Sequence, residues 1–319
     1  MGDPPVQRPG ALAPGPGEPG RPDAGPLAAG QRFAGVRIDR LLTRSATAHL
    51  YLATAEDTGI PLAVKATRLL YEVSATAPHT DTARAHFEQQ ARQAMALQHP
   101  GIVKVYGVAS GPGLCCTVME LLPGADLTRY TQAGRLLPEG QALDIAARVA
   151  EALAHAHRHG MVHRDVKPAN VMFDSASLRV VLTDFGLARA HDAEATRSGL
   201  LLGSPAYMAP ELLAGARADA RSDLYAVGVL LFELLTGRLP YEGDSMGTLL
   251  RAIARGRPAS VRLHRGDLDE ASAVALDRAL AGVWHAEPDE RCSDGAAWAA
   301  ALRALASRHF GRPSAPGVL

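Results

Sequence analysis

The sequence predicts an α+β fold in two unequal lobes, a small β-rich one followed by a larger helical one, and three observations carry it. From Val36 to about Leu122 short β-type runs dominate: "HLYLAT", "PLAVKAT", "IVKVYGV" and "LCCTVMEL". From about Ala125 onward the apolar residues recur at helical spacing instead. The pattern changes once, near residues 120–125, and no internal repeat runs across the change.

In chain order, residues 1–30 hold eight prolines and seven glycines with almost no large apolar side chain. Such a segment buries too little surface to offset its ordering entropy, so a disordered tail is expected there. The small lobe spans 31–122, its strands interrupted by one helix from Asp81 to Gln98. The helical lobe spans 123–310. In "GQALDIAARVAEALAHAHRHG" the residues Ala142, Leu143, Ala146, Val149, Ala150 and Leu153 follow a helical period. "DLYAVGVLLFELLTG" is apolar nearly all round, which marks a helix buried in a core. "ASAVALDRALAGVW" and "GAAWAAALRALASRHF" are further helices, and 311–319 is a frayed end.

The 319 residues are 47% apolar, enough for a real core, and Lys plus Arg balances Asp plus Glu at 33 each. That balance argues against nucleic acid or an anionic membrane as a general partner. Three cysteines without CxxC spacing read as plain thiols in a reducing compartment. No signal-peptide pattern opens the chain, and the most apolar later stretch, Ala226 to Leu235, contains Glu233 and is too short to span a bilayer. A cytoplasmic protein is expected.

"MVHRDVKPANV", residues 161–171, combines charge with a proline that forbids a continuous helix. A loop there presents Asp165, Lys167 and Asn170 together. The carboxylate suits a base toward an attacking hydroxyl, the ammonium suits a transferring phosphoryl group, and the amide oxygen suits a hard cation. In "VVLTDFG", Asp184 follows a β-run and can hold the same cation. In "LAVK", Lys65 lies on a strand and can reach phosphate oxygens. These are the parts of a magnesium-dependent phosphoryl-transfer site.

"AVK", "HRDVKPAN", "DFG" and "APE", in this order, together with "LQHPGIVKVYG" and "ARSDLYAVGVLLFELLTGRLPY", resemble the eukaryotic-type (Hanks-type) serine/threonine protein kinases, most of all their bacterial members, over roughly residues 36–310. The resemblance implies the bilobal protein kinase fold and transfer of the ATP γ-phosphate to a protein hydroxyl. It implies that Asp165 orients and deprotonates the substrate hydroxyl and that Lys167 contacts the γ-phosphate. Asn170 and Asp184 would bind Mg2+, and Lys65 would hold the α- and β-phosphates. Adenine would meet the backbone of Glu120 and Leu122, behind Met119, with Ala63 and Leu50 on one side and Met172 on the other. His163 and Phe185 would pack as core. Asp223 would brace the catalytic loop, and Glu211 would pair with Arg291. Thr196 and Ser198 fall where related kinases carry paired phosphosites, placed by self-phosphorylation in trans, with Arg164 as the receiving cation.

Two departures stand out. In "LLTRSATAHLYLA", Thr43, Ser45 and Ala46 stand where the family's phosphate-covering glycines belong. A Cβ at each position stiffens the loop and holds its amides away from phosphate, with the hydroxyls of Thr43 and Ser45 as substitute donors. A hairpin with no phosphate role is the alternative. Gln90 replaces the helix glutamate that pairs with the strand lysine. Phe87, Ala91 and Ala94 mark that helix's inward face, so Gln90 is expected to face Lys65 and Glu88 to point to solvent. The expected activity is therefore a protein kinase with low basal rate. The alternative is a pseudokinase that binds ATP or partners as a scaffold. A small-molecule kinase is disfavoured by "GSPAYMAPE", which resembles the family's peptide-binding loop.

Overall fold

The computed structural model describes residues 10–11, 25–45, 48–68, 79–111, 114–185 and 205–311. The chain divides into two compact units. Among the described residues the first comprises those up to Gln98 together with Val103–Leu122, and the second comprises His99–Ile102 and those from Pro123 onward.

The first unit is a seven-stranded sheet with one helix. Its strands are β1 (Gly10–Ala11), β2 (Arg32–Phe33), β3 (Val36–Arg44), β4 (Ala48–Ala55), β5 (Pro61–Arg68), β6 (Val105–Gly111) and β7 (Leu114–Glu120), in the spatial order β1-β6-β7-β5-β4-β3-β2. All neighbours are antiparallel except β1 with β6. Residues opposite each other on paired strands share a face, and the face alternates along each strand. One face carries Val36, Ile38, Tyr51, Ala53, Val64, Ala66, Cys116 and Val118, which form a continuous apolar core. The other is covered by helix α1 (His79–Ala96), whose Phe87 and Ala91 pack on Val108 and Cys115. Burial pushes both Cys115 and Cys116 up to about 12, so these thiols are inert filling.

The expected tail boundary at residue 30 is too late. Leu27 is buried in the sheet core, and its amide donates to the Tyr51 hydroxyl at 3.2 Å. Gly30 N donates to Ile38 O, and Ile38 N to Gln31 O, both at 2.8 Å. A Cβ on Gly25 would lie 2.0 Å from Tyr51 Oη, so only glycine lets this strap pass over the tyrosine. One apolar side chain and a close backbone approach suffice to order a segment whose composition reads as disorder.

The second unit is built on α2 (Glu139–Arg158), which packs against α4 (Ala220–Thr236) and α7 (Gly295–His309). Around these lie α3 (Pro210–Leu213), α5 (Met246–Ala254), α6 (Glu270–Trp284) and a small sheet of β8 (Ala125–Asp126), β9 (Val171–Asp174) and β10 (Arg179–Leu182). Helix α4 is buried on nearly every side, as its uniform apolarity predicts. It starts at a reciprocal Asp219–Ser222 capping box and stops at Gly237, which has φ 69°. A Cβ on Gly228 would stand 2.6 Å from the Trp284 indole nitrogen, so a bare backbone lets α6 dock on α4. Among the described residues no helix is long and apolar enough to cross a membrane.

Candidate active site

In the second unit the loop from Met161 to Pro168 hangs from one buried carboxylate. Asp223, on the first turn of α4, is 2% exposed. Its Oδ2 accepts from the His163 amide and from His157 Nε2, and its Oδ1 accepts from the Arg164 amide, all at 2.8 Å. Arg164 has φ 70°, a left-handed conformation that costs a residue with a Cβ. That conformation aims two consecutive amides at one carboxylate, and charge-assisted hydrogen bonds hold it.

His163 is fully buried. Its Nδ1 accepts from the Asp165 amide at 3.2 Å, and its Nε2 lies 2.8 Å from Thr183 O, which makes Nε2 the protonated nitrogen. The ring also packs edge-on against Phe185, with centroids 4.7 Å apart. His163 is thus a strut between the loop and the segment after β10.

Asp165 Oδ2 accepts from Lys167 Nζ at 2.7 Å and from Asn170 Nδ2 at 3.0 Å, and Asn170 Nδ2 also reaches Asp165 O at 2.7 Å. Both cationic and amide donors crowd one carboxylate oxygen. Among the described residues Oδ1 takes no hydrogen bond, so its lone pairs stay open to a donor. The Asp165 side chain is 21% exposed, enough to be reached.

Asn170 spends its amide NH2 on Asp165 and keeps its side-chain oxygen. Its backbone carbonyl accepts from Thr183 N at 2.8 Å and Thr183 Oγ1 at 3.1 Å, which ties the loop to the residue before Asp184. Asp184 has φ 64°, a second left-handed residue with a side chain. No group of three or more His, Cys, Asp or Glu among the described residues could cage a metal by itself. Two oxygen donors, one neutral and one anionic, fit Mg2+, which fills its remaining positions with water and phosphate oxygens.

Sequence reasoning missed His157 and Thr183. Both side chains bind the loop's scaffold, and a polar residue in the apolar pattern of α2, six residues before His163, is the signal that marks His157.

Glu211 and Arg291 form a bidentate pair with both bonds at 2.8 Å, and the Arg291 side chain is fully buried. Arg291 also stacks over the Tyr225 ring and donates to His285 O and Ala286 O. Tyr207 donates to Glu233, whose carboxyl burial pushes up from the usual range.

In the first unit, strand register sets Thr43 opposite Leu50, Leu50 opposite Lys65 and Lys65 opposite Thr117. Ala63 lies two residues from Lys65, so Thr43, Leu50, Ala63 and Lys65 share one face, the face that α1 covers. Glu120 ends β7 and donates its amide to Lys104 O at 2.9 Å, while Leu122 lies just beyond, half-buried. Met172, on β9 in the second unit, is also half-buried.

The hairpin between β3 and β4 departs from the expectation for hydroxyl donors. Ser45 Oγ donates to Ala48 O and accepts from the Ala48 amide, both at 3.1 Å, so it closes the turn. Counted by G-x-G-x-x-G spacing from Thr43, the third glycine position falls on buried Ala48 rather than on Ala46.

Helix α1 gives one expected face and one correction. Phe87, Ala91 and Ala94 are buried. Glu88 does not point to solvent: it is half-buried and accepts from Ser110 Oγ of β6 at 2.6 Å. The helix lies low enough on the sheet that its flank, not only its centre, meets β6. Gln90 places Nε2 3.5 Å from His86 Nε2, and its buried Oε1 has no hydrogen-bond partner, so it does not bond Lys65 here. Thr196 and Ser198 lie outside the described residues.

The sequence profile of the Protein kinase domain family matches residues 38–304, and the chain belongs to that family. It is 34% identical over 274 residues to the probable serine/threonine-protein kinase pknA2 of Bifidobacterium longum, covering 85% of this chain and 35% of that protein. Against the serine/threonine-protein kinase PrkC of Bacillus subtilis it is 36% identical over 236 residues, covering 73% and 35%. Against PknB of Mycobacterium leprae it is 36% identical over 266 residues, covering 79% and 41%. The chain thus matches well under half the length of these relatives. Among solved structures it resembles Rad53 1-466 in complex with AMP-PNP, with a TM-score of 0.66 and 25% identity over 83% of this chain and 64% of that one.

Proposed function

We propose that this chain is a protein serine/threonine kinase that transfers the γ-phosphate of ATP to a protein hydroxyl. The observation that carries the reading is the Asp165 carboxylate, with Oδ2 held by Lys167 and Asn170 and Oδ1 left open. In this reading Oδ1 accepts the substrate hydroxyl and takes its proton as the oxygen attacks. Lys167, held on Oδ2, offsets charge gathering on the transferred phosphoryl group. Lys65 meets the nucleotide's other phosphates on the same sheet face as Leu50 and Ala63, which supply apolar contact for adenine. The backbone of Glu120 and Leu122 supplies the polar contacts. Asn170 Oδ1 and Asp184 would hold Mg2+, which supplies phosphate orientation and charge neutralisation. The kinases named among the relatives, and the nucleotide analogue in the Rad53 structure, support the same assignment.

The altered hairpin and Gln90 imply a low basal rate, raised by self-phosphorylation in trans at Thr196 and Ser198, with Arg164 receiving the phosphate. ATP supply and three free thiols fit a cytoplasmic position.

The test is incubation with radiolabelled ATP and Mg2+, with and without casein, followed by phosphopeptide mapping. Serine or threonine phosphate is expected, lost by about a hundredfold or more in Asp165→Asn without a change in melting temperature. Asp184→Asn should abolish the melting shift given by Mg-ATP. A retained Mg-ATP shift in the parent chain with no phosphate transferred would make the protein an ATP-binding scaffold instead.

A further inference from the structure

Charge is balanced over the whole chain but not locally. Between Ser245 and Gly266 there are five arginines and no acidic residue. Two of the five are neutralised by carboxylates beyond the run: Arg262 pairs with Glu270 at 2.9 Å, and Arg265 binds Asp267 and Glu139. The other three, Arg251, Arg255 and Arg257, are exposed and have no carboxylate partner among the described residues. Arg251, in the last turn of α5, and Arg255, its C-cap, stand four residues apart, both exposed like Gly247 and Ala254. Like charges at that spacing repel. A helix C-terminus favours a cation, which accounts for Arg251 and Arg255 singly. It does not account for Arg257, which lies past the helix.

The position of α5 gives the cluster its meaning. The helix packs against α3, which begins at the end of the "GSPAYMAPE" segment, and against the short turn Pro205–Tyr207 within that segment. The three guanidinium groups therefore sit in the last turn of, and just beyond, the helix that buttresses the segment expected to hold a substrate peptide. Planar, fixed forks of donors recognise carboxylates in pairs.

We propose that Arg251, Arg255 and Arg257 form a docking surface for an acidic segment of the protein substrate, outside the residues that receive the phosphate. This rests on the kinase reading above. An acidic peptide is favoured over nucleic acid or lipid because the patch is small, adjoins the peptide-binding segment and sits on a chain with no net charge.

The experiment uses the full chain and two fluorescent peptides, each with a single threonine, one rich in glutamate and its counterpart with glutamine at those positions. Binding is read by anisotropy and transfer by steady-state kinetics. The parent should bind the glutamate peptide more tightly, and added salt should erase the difference. Exposed ion pairs are worth about two- to threefold each, so Arg251→Gln/Arg255→Gln/Arg257→Gln should weaken that binding and raise its KM by about tenfold, with kcat and the glutamine peptide unaffected. These side chains are exposed and make no hydrogen bond or ion pair among the described residues, so the variant should melt with the parent. Arg278→Gln/Arg308→Gln, two exposed arginines on other helices, is the control and should change nothing. Equal binding of both peptides by the parent overturns the proposal, as does undiminished glutamate-peptide binding in the triple variant. Arginine-dependent binding to phosphatidylserine vesicles without peptide discrimination overturns it in favour of a lipid surface. Arginine-dependent peptide binding with no transfer to either peptide leaves the docking surface standing and removes the kinase reading.

Discussion

Lysine is scarce in this chain. Of its 33 basic residues only three are lysine: Lys65, Lys104 and Lys167. Arginine serves nearly everywhere a surface charge is needed, and lysine remains at the two positions where a compact ammonium on a flexible stem suits phosphate oxygens. The acceptors around Lys167 were legible from residue types at fixed offsets, because a loop this short brings its own side chains together. The partners of Glu88, Gln90 and Ser45 were not, because they depend on how deep a helix sits and how a turn closes. Gln90 is the most informative of these. A buried amide oxygen without a partner is costly, and the sequence resemblance expects a carboxylate at this position. A carboxylate there that reached the Lys65 ammonium would add a charge-assisted bond the amide does not make, and roughly 1.4 kcal/mol of it felt in the transition state is about tenfold in rate. Gln90→Glu should therefore raise kcat at saturating ATP by about tenfold. A variant no faster than the parent would mean that the new carboxylate serves His86, 3.5 Å from the amide, instead of Lys65. Glu88→Ala should leave kcat unchanged and lower stability by about 1 kcal/mol, the worth of its bond to Ser110.

At the scale of elements, period and composition located the long helices well. Helix α5 is short, nine residues with a glycine at its second position, yet Met246, Leu249, Leu250 and Ile253 fall at helical spacing and the Ser245–Thr248 capping box marks its start. Helix α2 carries a feature that periodicity does not explain. His155 stacks between His99, at 5.1 Å, and His159, at 4.5 Å, and joins the helix to the segment leading to β6. His99 Nδ1 accepts from the Gly101 amide, and the buried His155 Nε2 has no partner. Burial lowers His155 below its ordinary value, and His159, His99 and Arg158 add to the shift. Burial likewise lowers His99, with Arg158 adding to it and the Glu151 carboxylate opposing it. A base whose folded value is lowered binds fewer protons folded than unfolded. Its stability is complete above the unfolded value of 6.5 and is lost as pH falls below it. The melting temperature should therefore drop as pH is lowered from about 7 to about 5, and His155→Phe, which keeps a ring in the stack, should flatten that slope. Glu151, held low by its hydrogen bonds to Arg303, loses its contribution only at more acid pH, so the two windows separate. Parallel slopes for parent and variant would remove the stack as the cause.

At the scale of the whole molecule, the division between Leu122 and Pro123 falls inside the window where the sequence changes character. What composition misread is the start of the first unit. The sheet has two faces, and the sequence gives reasons to cover only one of them, the side of Lys65 and α1. The opposite face is as apolar, and the strap from Gly25 to Gln31 lies over it, with Leu27 inserted beside Tyr51 and Ile38. One leucine among prolines and glycines is invisible to a compositional argument, yet it is 5% exposed in a core where truncation to alanine costs about 3 kcal/mol. Because two units need not unfold together, a global melt averages the effect away, and local opening is the better measure. Leu27→Ala should speed hydrogen exchange at the Ile38 and Tyr51 amides by about a hundredfold, the equivalent of 3 kcal/mol, while amides in α4 exchange as before. Gly25→Ala should act in the same direction, since its Cβ would drive the strap off the Tyr51 hydroxyl. Exchange at those amides unchanged in both variants would show that the sheet holds its outer face closed without the strap.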